Sequence, residues 1–287
     1  MAQRAAVARR LPLRDRIGSI TSGTLAWIYA ALLVIPFYYF IVSSFKTNEE
    51  IFESPLALPT TFDFSNFTTA IQQADLGLAV ANSALTTVAA LVLTLLLALP
   101  ASFALARARG RAGKIVESVF ALGFLIPSFA ALFPTFLLAA ALGLFHTRTF
   151  VVFLLPATAL PLSIVILTSF MRTIPRELEE AASMDGASSL QVLRQVYLPI
   201  CVPGIATVLL LNFLSFWNAY LYPLILIGPD TAQRTIQVAL PTLKVDAGTD
   251  YGVLMAGTLF TLLPVYLVYT VLQRQMQRAL LSGAVKG

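Results

Sequence analysis

The run 76–106, LGLAVANSALTTVAALVLTLLLALPASFALA, contains 31 residues and no Asp, Glu, Lys or Arg. As an α-helix it would be about 46 Å long, which exceeds the roughly 30 Å hydrocarbon core of a bilayer. Five further charge-free runs of 23 to 35 residues cover 17–45, 118–147, 149–171, 195–229 and 251–273. Since about 20 apolar residues suffice to cross a membrane as a helix, the pattern predicts an all-α, polytopic membrane protein with six transmembrane helices.

The composition of the whole chain also indicates a membrane protein. Of its 287 residues, 58% are apolar and 11% are charged, whereas soluble domains carry about 25% charged residues. A soluble enzyme, a secreted disulfide scaffold and a nucleic-acid-binding domain are therefore excluded. Cys201 is the only cysteine in the sequence and can form no internal disulfide. The first apolar run is too long for a signal-peptide core, so we expect it to stay as an uncleaved anchor.

The positions of the basic residues predict how the chain crosses the membrane. The N-terminal stretch, the loops after spans two and four, and the C-terminal tail hold 15 of the 19 Lys and Arg residues. The remaining four are Lys46, Arg148, Arg234 and Lys244. Because loops rich in Lys and Arg stay in the cytoplasm, we expect both termini to be cytoplasmic. The net charge of +5 then reflects membrane topology and not a nucleic-acid partner.

The segments outside the spans are too short to form a separate domain. The longest has about 30 residues, below the roughly 50 that an independent domain needs. The nearest match to a phosphate loop, Gly110-Arg-Ala-Gly113-Lys114, lacks the spacing and the Ser or Thr after the lysine. The expected division is a basic N-terminus 1–19, a six-span domain 20–275 with spans at about 20–45, 79–106, 118–142, 149–171, 201–227 and 251–273, a cytoplasmic loop 172–199, and a tail 276–287.

The loop 172–199 carries local signals for two short helices. Pro175 fits a first helical turn, and the glutamates after it lie near the positive end of the helix dipole. Gly186 provides a left-handed stop, and Ser188 or Ser189 can cap a second helix that ends before Pro199. The prediction is a helix, a glycine turn and a second helix on the inner membrane surface.

The same loop resembles the EAA signature of bacterial ABC-importer permeases, whose consensus is E-A-A-x3-G-x9-I-x-L-P. Here the match is Glu180-Ala181-Ala182, Gly186 and Val196-x-Leu198-Pro199, and Val196 is the only departure. The tail Gly283-Ala284-Val285-Lys286-Gly287 is similar to that of the carbohydrate (MalG-like) family of these permeases. Ser44-Phe45-Lys46, Trp217-Asn218 and Pro223-Leu224 are also similar to the same family.

This resemblance implies a type I importer permease with a MetI-like bundle. It implies pairing with a second permease, as a heterodimer, and with two ATPase subunits that hold the ATP and Mg²⁺, so that this chain binds no cofactor or metal of its own. A solute-binding protein outside the cytoplasm would deliver a sugar, oligosaccharide or polyol. By the same resemblance, the residues that couple to the ATPase are Glu180, Ala181, Ala182, Asp185, Gly186, Val196, Leu198 and Pro199, and the tail residues Gly283, Ala284, Val285, Lys286 and Gly287 also reach it.

Span five contains the residues that would suit a path for sugars. A sugar path needs hydrogen-bonding groups and aromatic faces with few charges, and the candidates are Asn212, Ser215, Trp217, Asn218, Tyr220 and Tyr222. Polar groups within a membrane often mark functional paths. The same residue types also join helices to one another or form interfacial belts, so both interpretations stand.

Three other functions are alternatives to a sugar importer. An importer of a non-sugar solute, such as a phosphodiester or an amino acid, would share the same signature. A membrane-embedded enzyme needs a nucleophile and base or metal ligands, but the six runs contain no Asp or Glu, and His146 is the only histidine. An ion-coupled carrier usually has ionisable groups within its spans, and these are missing as well.

Overall fold

The computed structural model describes residues 13–127, 129–228, 230–245 and 248–284. Across these ranges the architecture is helical apart from loops and one short β-pair, so the prediction of an all-α fold is confirmed. The helices are α1 (Leu13–Ser43), α2 (Asn48–Glu53), α3 (Ser65–Gln73), α4 (Leu76–Arg107), α5 (Arg111–Gly123), α6 (Leu132–Ala141), α7 (Arg148–Met171), α8 (Arg176–Met184), α9 (Ser189–Val192), α10 (Leu198–Ile200), α11 (Val202–Trp217), α12 (Leu221–Leu226), α13 (Ile236–Ala239) and α14 (Tyr251–Ala284).

Three short elements complete the chain. A π-helical turn, Leu193–Tyr197, separates α9 from α10, and a 3₁₀ turn, Leu240–Thr242, follows α13. Strand β1 (Lys244–Val245) pairs in antiparallel fashion with β2 (Gly248–Thr249). We call the end of the bundle that carries α8, α9 and α10 the α8 end, and the end that carries α2, α3 and α13 the α3 end.

Four helices of the described residues, α1, α4, α7 and α14, are long and apolar enough to cross a membrane. A fifth candidate consists of the segments Ser189–Ile200 and Val202–Trp217, which meet at a bend of 79°. The predicted span 118–142 is divided between α5 and α6 and is not one continuous helix. The predicted span 201–227 is likewise divided between α11 and α12.

Proline lies near both interruptions, although it does not interrupt every helix. Pro127 has no amide to donate to the carbonyl of Gly123, and α5 ends at that glycine. Pro223 lies in the first turn of α12, after the gap that follows Trp217, and its missing amide costs no helical hydrogen bond there. By contrast, α7 continues through Pro156 and Pro161. Membrane helices tolerate proline where neighbouring groups satisfy the freed carbonyls.

The centre of the bundle is the packing of α4 along α7, with α11 crossing both and also contacting α14. Small residues let these backbones approach closely, and Ala90 and Ala98 on α4 are fully buried. Hydroxyl groups link the helices: Ser102 Oγ on α4 donates to the carbonyl of Ile164 on α7 at 3.3 Å. Helix α1 lies at the edge of the bundle, where most of its apolar side chains are exposed.

The α3 end is closed by short helices that pack on α14. Lys46 is 2% exposed, and its Nζ donates to the carbonyl of Ser54 at 2.7 Å. Asn66 Nδ2 donates to the carbonyls of Ser44 and Lys46, both at 3.0 Å. A Cβ on Gly252 would lie 2.3 Å from the Lys46 carbonyl oxygen, so only glycine permits α14 to begin this close to the loop.

Candidate coupling surface and solute path

The predicted helix, glycine turn and helix of the loop 172–199 are present. Helix α8 ends at Met184, and Gly186 adopts a φ of +84°, in the left-handed region that favours glycine. Ser188 begins α9 with a capping box: its hydroxyl accepts from the Gln191 amide at 3.4 Å, and Gln191 Oε1 accepts from the Ser188 amide at 2.7 Å. The glycine turn therefore ends the first segment, and the Ser188 cap begins the second.

One face of this loop packs against the bundle. Its buried residues Val192 and Tyr197 join Phe103 of α4 and Met171 of α7 in one apolar cluster. Four further residues of the loop are partly buried against that cluster, namely Ala182, Ala187, Val196 and Leu198. Three of the residues matching the signature, Ala182, Val196 and Leu198, thus face the bundle.

The opposite face of the loop is exposed, and it combines acidic and apolar side chains. The predicted coupling residues Glu180, Ala181, Asp185, Gly186 and Pro199 are exposed there. Three large apolar side chains share this exposure: Leu178 at 44%, Met184 at 88% and Leu190 at 72%. These three were not among the predicted coupling residues. A signal was present in the sequence, because Leu178 and Met184 are large apolar residues within a short, otherwise polar helix.

A salt bridge ties α8 to the end of α4. Arg107 Nε donates to Glu179 Oε2 at 2.5 Å. The Arg107 guanidinium carbon lies 3.5 Å from the ring centre of Phe103 and 4.7 Å from that of Tyr197, a cation–π arrangement. Tyr197 Oη also donates to Glu179 Oε2, at 3.3 Å. We call these four residues, Phe103, Arg107, Glu179 and Tyr197, the Arg107 cluster.

A second ion pair joins α5 to the end of α7. Arg172 makes a two-pronged contact with the Glu117 carboxylate, with N–O distances of 2.8 and 2.7 Å. Hydrogen bonding to Arg172 lowers the pKa of Glu117, and the same contact raises the pKa of Arg172. Both side chains are partly exposed, so we expect this pair to stabilise less than the Arg107 cluster does.

The predicted tail is only partly within the described residues. Gly283 and Ala284 belong to the end of α14. Val285, Lys286 and Gly287 lie outside the described residues. Contact of this tail with an ATPase therefore stays a prediction.

Three of the six predicted path residues line a cavity of about 570 Å³ beside the interruption between α11 and α12. They are Ser215, Tyr220 and Tyr222. Thr135 and Thr158 line the same space, and each donates its hydroxyl to a backbone carbonyl three residues earlier. The volume lies within the range of about 300–1,000 Å³ that small-molecule pockets occupy. Among the described residues the lining is mostly apolar, it includes the aromatic and hydroxyl-bearing residues named above, and it has no acidic or basic side chain.

The other three predicted path residues bind neighbouring parts of the chain. Asn212 is 5% exposed and donates to Ser163 Oγ at 2.9 Å. Trp217 is 2% exposed, and its Nε1 donates to the Thr261 carbonyl at 3.0 Å. Asn218 is exposed, but its amide donates to the Leu214 carbonyl at 2.8 Å and accepts from Gln237 at 3.2 Å. These contacts hold α11 to α7, α13 and α14.

The structure shows the surroundings of the side chains that could bind a metal ion or act in catalysis. Within the described ranges no group of three or more His, Cys, Asp or Glu residues could hold a metal ion. His146 contacts the Ile227 carbonyl through Nδ1 at 3.0 Å, and its backbone has a φ of +63°. Cys201 is buried in the cluster below α9.

Comparison with known proteins identifies the family. Residues 98–282 match the family described as binding-protein-dependent transport system inner membrane component. The chain belongs to this family. It is thus a multi-pass inner-membrane permease of an ABC importer, a transport subunit and not an enzyme. The expected fold and family are confirmed.

Several relatives of this permease are similar over nearly the whole chain. A diacetylchitobiose uptake system permease of Streptomyces coelicolor is 33% identical over 98% of this chain and 93% of its own length. A lactose transport system permease of Rhizobium radiobacter is 28% identical, over 96% and 98% respectively. Among solved structures, a bacterial ABC transporter involved in the import of the acidic polysaccharide alginate superposes with a TM-score of 0.80 at 26% identity, covering 92% of this chain and 98% of that one.

Proposed function

We propose that this permease passes a sugar or oligosaccharide across the membrane, driven by ATP hydrolysis in separate subunits that contact the exposed face of α8 and α9. The observation that carries the proposal is the two-sided construction of this loop. Its inner face is fixed to α4 and α7 by the Arg107 cluster and the apolar packing around Val192. Its outer face presents Glu180 with Leu178, Met184 and Leu190 in exposed positions.

The exposed apolar side chains of the loop favour a protein partner. A protein surface covers such side chains when it docks, and interface cores are enriched in methionine and apolar groups. Glu180 beside them can pair with a basic side chain, which would fix the register of the contact. Because the inner face is joined to α4 and α7, a push on α8 would reach both long helices. Motion of the bundle then follows closure of two ATPase subunits that hold ATP and Mg²⁺.

The rest of the assembly follows from charge and exposure. The excess of Lys and Arg supports a cytoplasmic position for the α8 end and for both termini, as docking of an ATPase requires. The apolar face of α1, where Trp27 is 80% exposed, would lie against lipid or against a second permease subunit. A solute-binding protein would deliver the substrate to the α3 end.

The proposed substrate class rests on the cavity and on the relatives. Ser215, Tyr220 and Tyr222 line the space beside α12 with hydroxyl and aromatic groups, which suit a solute rich in hydroxyls. The similar permeases are named for diacetylchitobiose and for lactose. A ligand screen on the cognate binding protein by calorimetry would test this. We expect a response to sugars, and a response to an amino acid or phosphodiester alone would contradict the proposal.

The coupling role can be tested on the complete transporter in proteoliposomes. We expect Met184→Asp to reduce uptake and substrate-stimulated ATP hydrolysis together, since a charge in the interface would prevent docking. Met184→Leu is the matched control, because it keeps an apolar side chain of similar volume. Normal uptake and normal stimulated hydrolysis in Met184→Asp would show that the ATPase does not contact this face.

A further inference from the structure

A second cavity of about 400 Å³ lies at the α3 end and contains a cationic side chain. Its lining includes Tyr220, Leu224, Arg234, Val238 and Thr242. Tyr220 also lines the larger cavity that holds Ser215, so one aromatic ring forms a wall of both spaces. The smaller cavity therefore adjoins the proposed solute path.

Arg234 is buried in this position, and none of the described carboxylates forms an ion pair with it. It is 8% exposed, and its Nε has no hydrogen-bond acceptor. Its nearest side-chain contact is long: Nη1 lies 3.4 Å from Thr242 Oγ1. The ion pairs found within the described residues are Arg107–Glu179 and Arg172–Glu117. Arginine stays charged at any physiological pH, so this guanidinium has no counter-charge in that part of the chain.

The nearest described carboxylate in the sequence is already engaged elsewhere. Asp230 Oδ1 accepts from the Ala232 amide at 2.9 Å, and Oδ2 accepts from Gln233 Nε2 at 3.1 Å. The backbone of Arg234 is fixed independently, because Asn82 Nδ2 donates to its carbonyl at 3.1 Å. The guanidinium is thus held in place by groups that do not neutralise it.

Burying an unpaired charge costs several kcal/mol, whereas an oxyanion that binds the guanidinium at two points recovers much of that cost. Leu224 and Val238 give this cavity apolar walls, and a contact between charges is stronger beside apolar side chains than in open water. We propose that this cavity is a subsite for a sugar unit bearing a carboxylate, and that Arg234 binds the carboxylate while Tyr220 lies against the ring. This inference rests on the proposed function, because it specifies which sugars the permease accepts.

The cavity favours a solute over an acidic side chain from a partner protein. Its volume lies within the range for small-molecule pockets, about 300–1,000 Å³, and exceeds what one carboxylate side chain would fill. It also shares Tyr220 with the larger cavity, so a solute that leaves it would next meet Ser215.

Binding of galacturonate and of galactose to the complete transporter tests the proposal. The two sugars share a ring and differ by a carboxylate in place of a hydroxymethyl group. Saturation-transfer NMR titrations in nanodiscs, without the binding protein, measure both Kd values. We expect galacturonate to bind at least tenfold more tightly than galactose. Equal affinities for the wild-type transporter would overturn the proposal, whatever any variant does.

Four variants test whether the preference for galacturonate over galactose arises at Arg234 and in this cavity. Arg234→Gln should remove it, and Arg234→Lys should keep part of it. Leu224→Trp keeps the charge but fills the cavity, and should also remove the preference. Arg109→Gln, an exposed arginine at the α8 end, is the matched control and should change nothing. If Leu224→Trp still bound galacturonate more tightly than galactose, the preference would come from general surface charge and not from this cavity, and the proposal would be overturned.

Two further outcomes separate this inference from others. If Arg234→Gln weakened assembly of the transporter while the wild type showed no preference, the counter-charge would come from a partner subunit and the subsite would be refuted. If a neutral sugar were imported with normal ATP coupling and without the preference, the proposed function would stand and this inference alone would fail.

Discussion

The two ends of the bundle use arginine in different ways. At the α8 end, Arg107 and Arg172 each contact a carboxylate, at 2.5 and 2.7 Å. At the α3 end, Arg148 and Arg234 contact amide and hydroxyl oxygens, and each has a buried Nε without a partner. These two arginines of the α8 end are therefore each neutralised by a carboxylate of the chain, as suits a part that transmits force. The α3 end lacks anionic partners within the described residues, as suits a part that receives a ligand.

The largest expected effect comes from reversing a charge in the Arg107 cluster. Arg107→Glu would place two carboxylates together at a partly buried site. Breaking a fully buried ion pair costs about 3–5 kcal/mol, which is an upper bound for this pair. We expect uptake to fall at least tenfold while basal ATP hydrolysis persists. Stimulated hydrolysis and uptake in proteoliposomes measure both quantities.

A double-mutant cycle controls for simple loss of packing. Arg107→Ala and Glu179→Ala, alone and combined, should show a coupling energy of about 1–2 kcal/mol in thermal unfolding of the transporter. Strict additivity of the two changes would mean that the pair does not tie α8 to α4. The comparison between the two ends would then lose its basis.

The next effect concerns Asn82, which joins the two arginines of the α3 end. Its Oδ1 accepts from Arg148 Nη1, and its Nδ2 donates to the carbonyls of Ala232 and Arg234. Asn82→Leu removes these contacts at a buried position, so we expect a loss of about 2–3 kcal/mol in unfolding free energy. Gln72→Leu, which changes an exposed amide on α3, is the control. An equal effect in both variants would contradict the assigned role of Asn82.

A smaller effect is expected at Gly186. Its φ of +84° is unfavourable for any residue with a Cβ, and alanine there costs about 1–2 kcal/mol. We expect Gly186→Ala to loosen the turn between α8 and α9 and to lower stimulated ATP hydrolysis several-fold. Gly77→Ala, at a helical glycine with open space around it, should have no such effect. Equal hydrolysis in the two variants would show that the turn does not limit coupling.

The sequence predicted local features well because local residues determine them. The charge-free run 76–106 corresponds closely to α4, and the Gly186 turn and the Ser188 cap formed as their residue types indicated. The interruptions of the membrane helices were harder to predict, because the helix breaks near Pro127 but continues through Pro161. That difference depends on which neighbours satisfy the free carbonyls, and one sequence does not contain that information.

The site was predicted less completely, since contacts between distant residues decide it. Glu179 was interpreted as a helix-dipole residue, yet its partner Arg107 lies 72 positions away. Asn212 and Trp217 have residue types that suit a sugar path, but the fold uses their hydrogen bonds to join helices. The unpaired state of Arg234 depends on which carboxylates fold near it. Residue type identified the candidate path residues, and the contacts that each makes in the fold separated those that line the cavity from those that join helices.

The smallest expected effect is at the exposed pair Glu117–Arg172. Its pH dependence tests whether this arginine of the α8 end is paired through charge. The pKa of Glu117 is lowered in the folded chain by Arg172. Its contribution to stability is therefore present above the unfolded pKa of about 4.3 and is lost as the pH falls through the folded pKa. Because both side chains are partly exposed, we expect Glu117→Gln to cost about 0.5 kcal/mol or less at pH 7.

Thermal unfolding of the two proteins between pH 7 and pH 3 measures this difference. The curves should run parallel from pH 7 to pH 5 and should converge as the pH falls below the unfolded pKa of about 4.3 and through the lowered pKa of Glu117, where the wild-type carboxylate also becomes neutral. Raising the salt concentration at pH 7 should shrink the difference, since exposed charges are screened. A difference that persisted at pH 3 would mean that Glu117 stabilises α5 by packing, and the α8 end would then depend on the Arg107 cluster alone for its charge pairing.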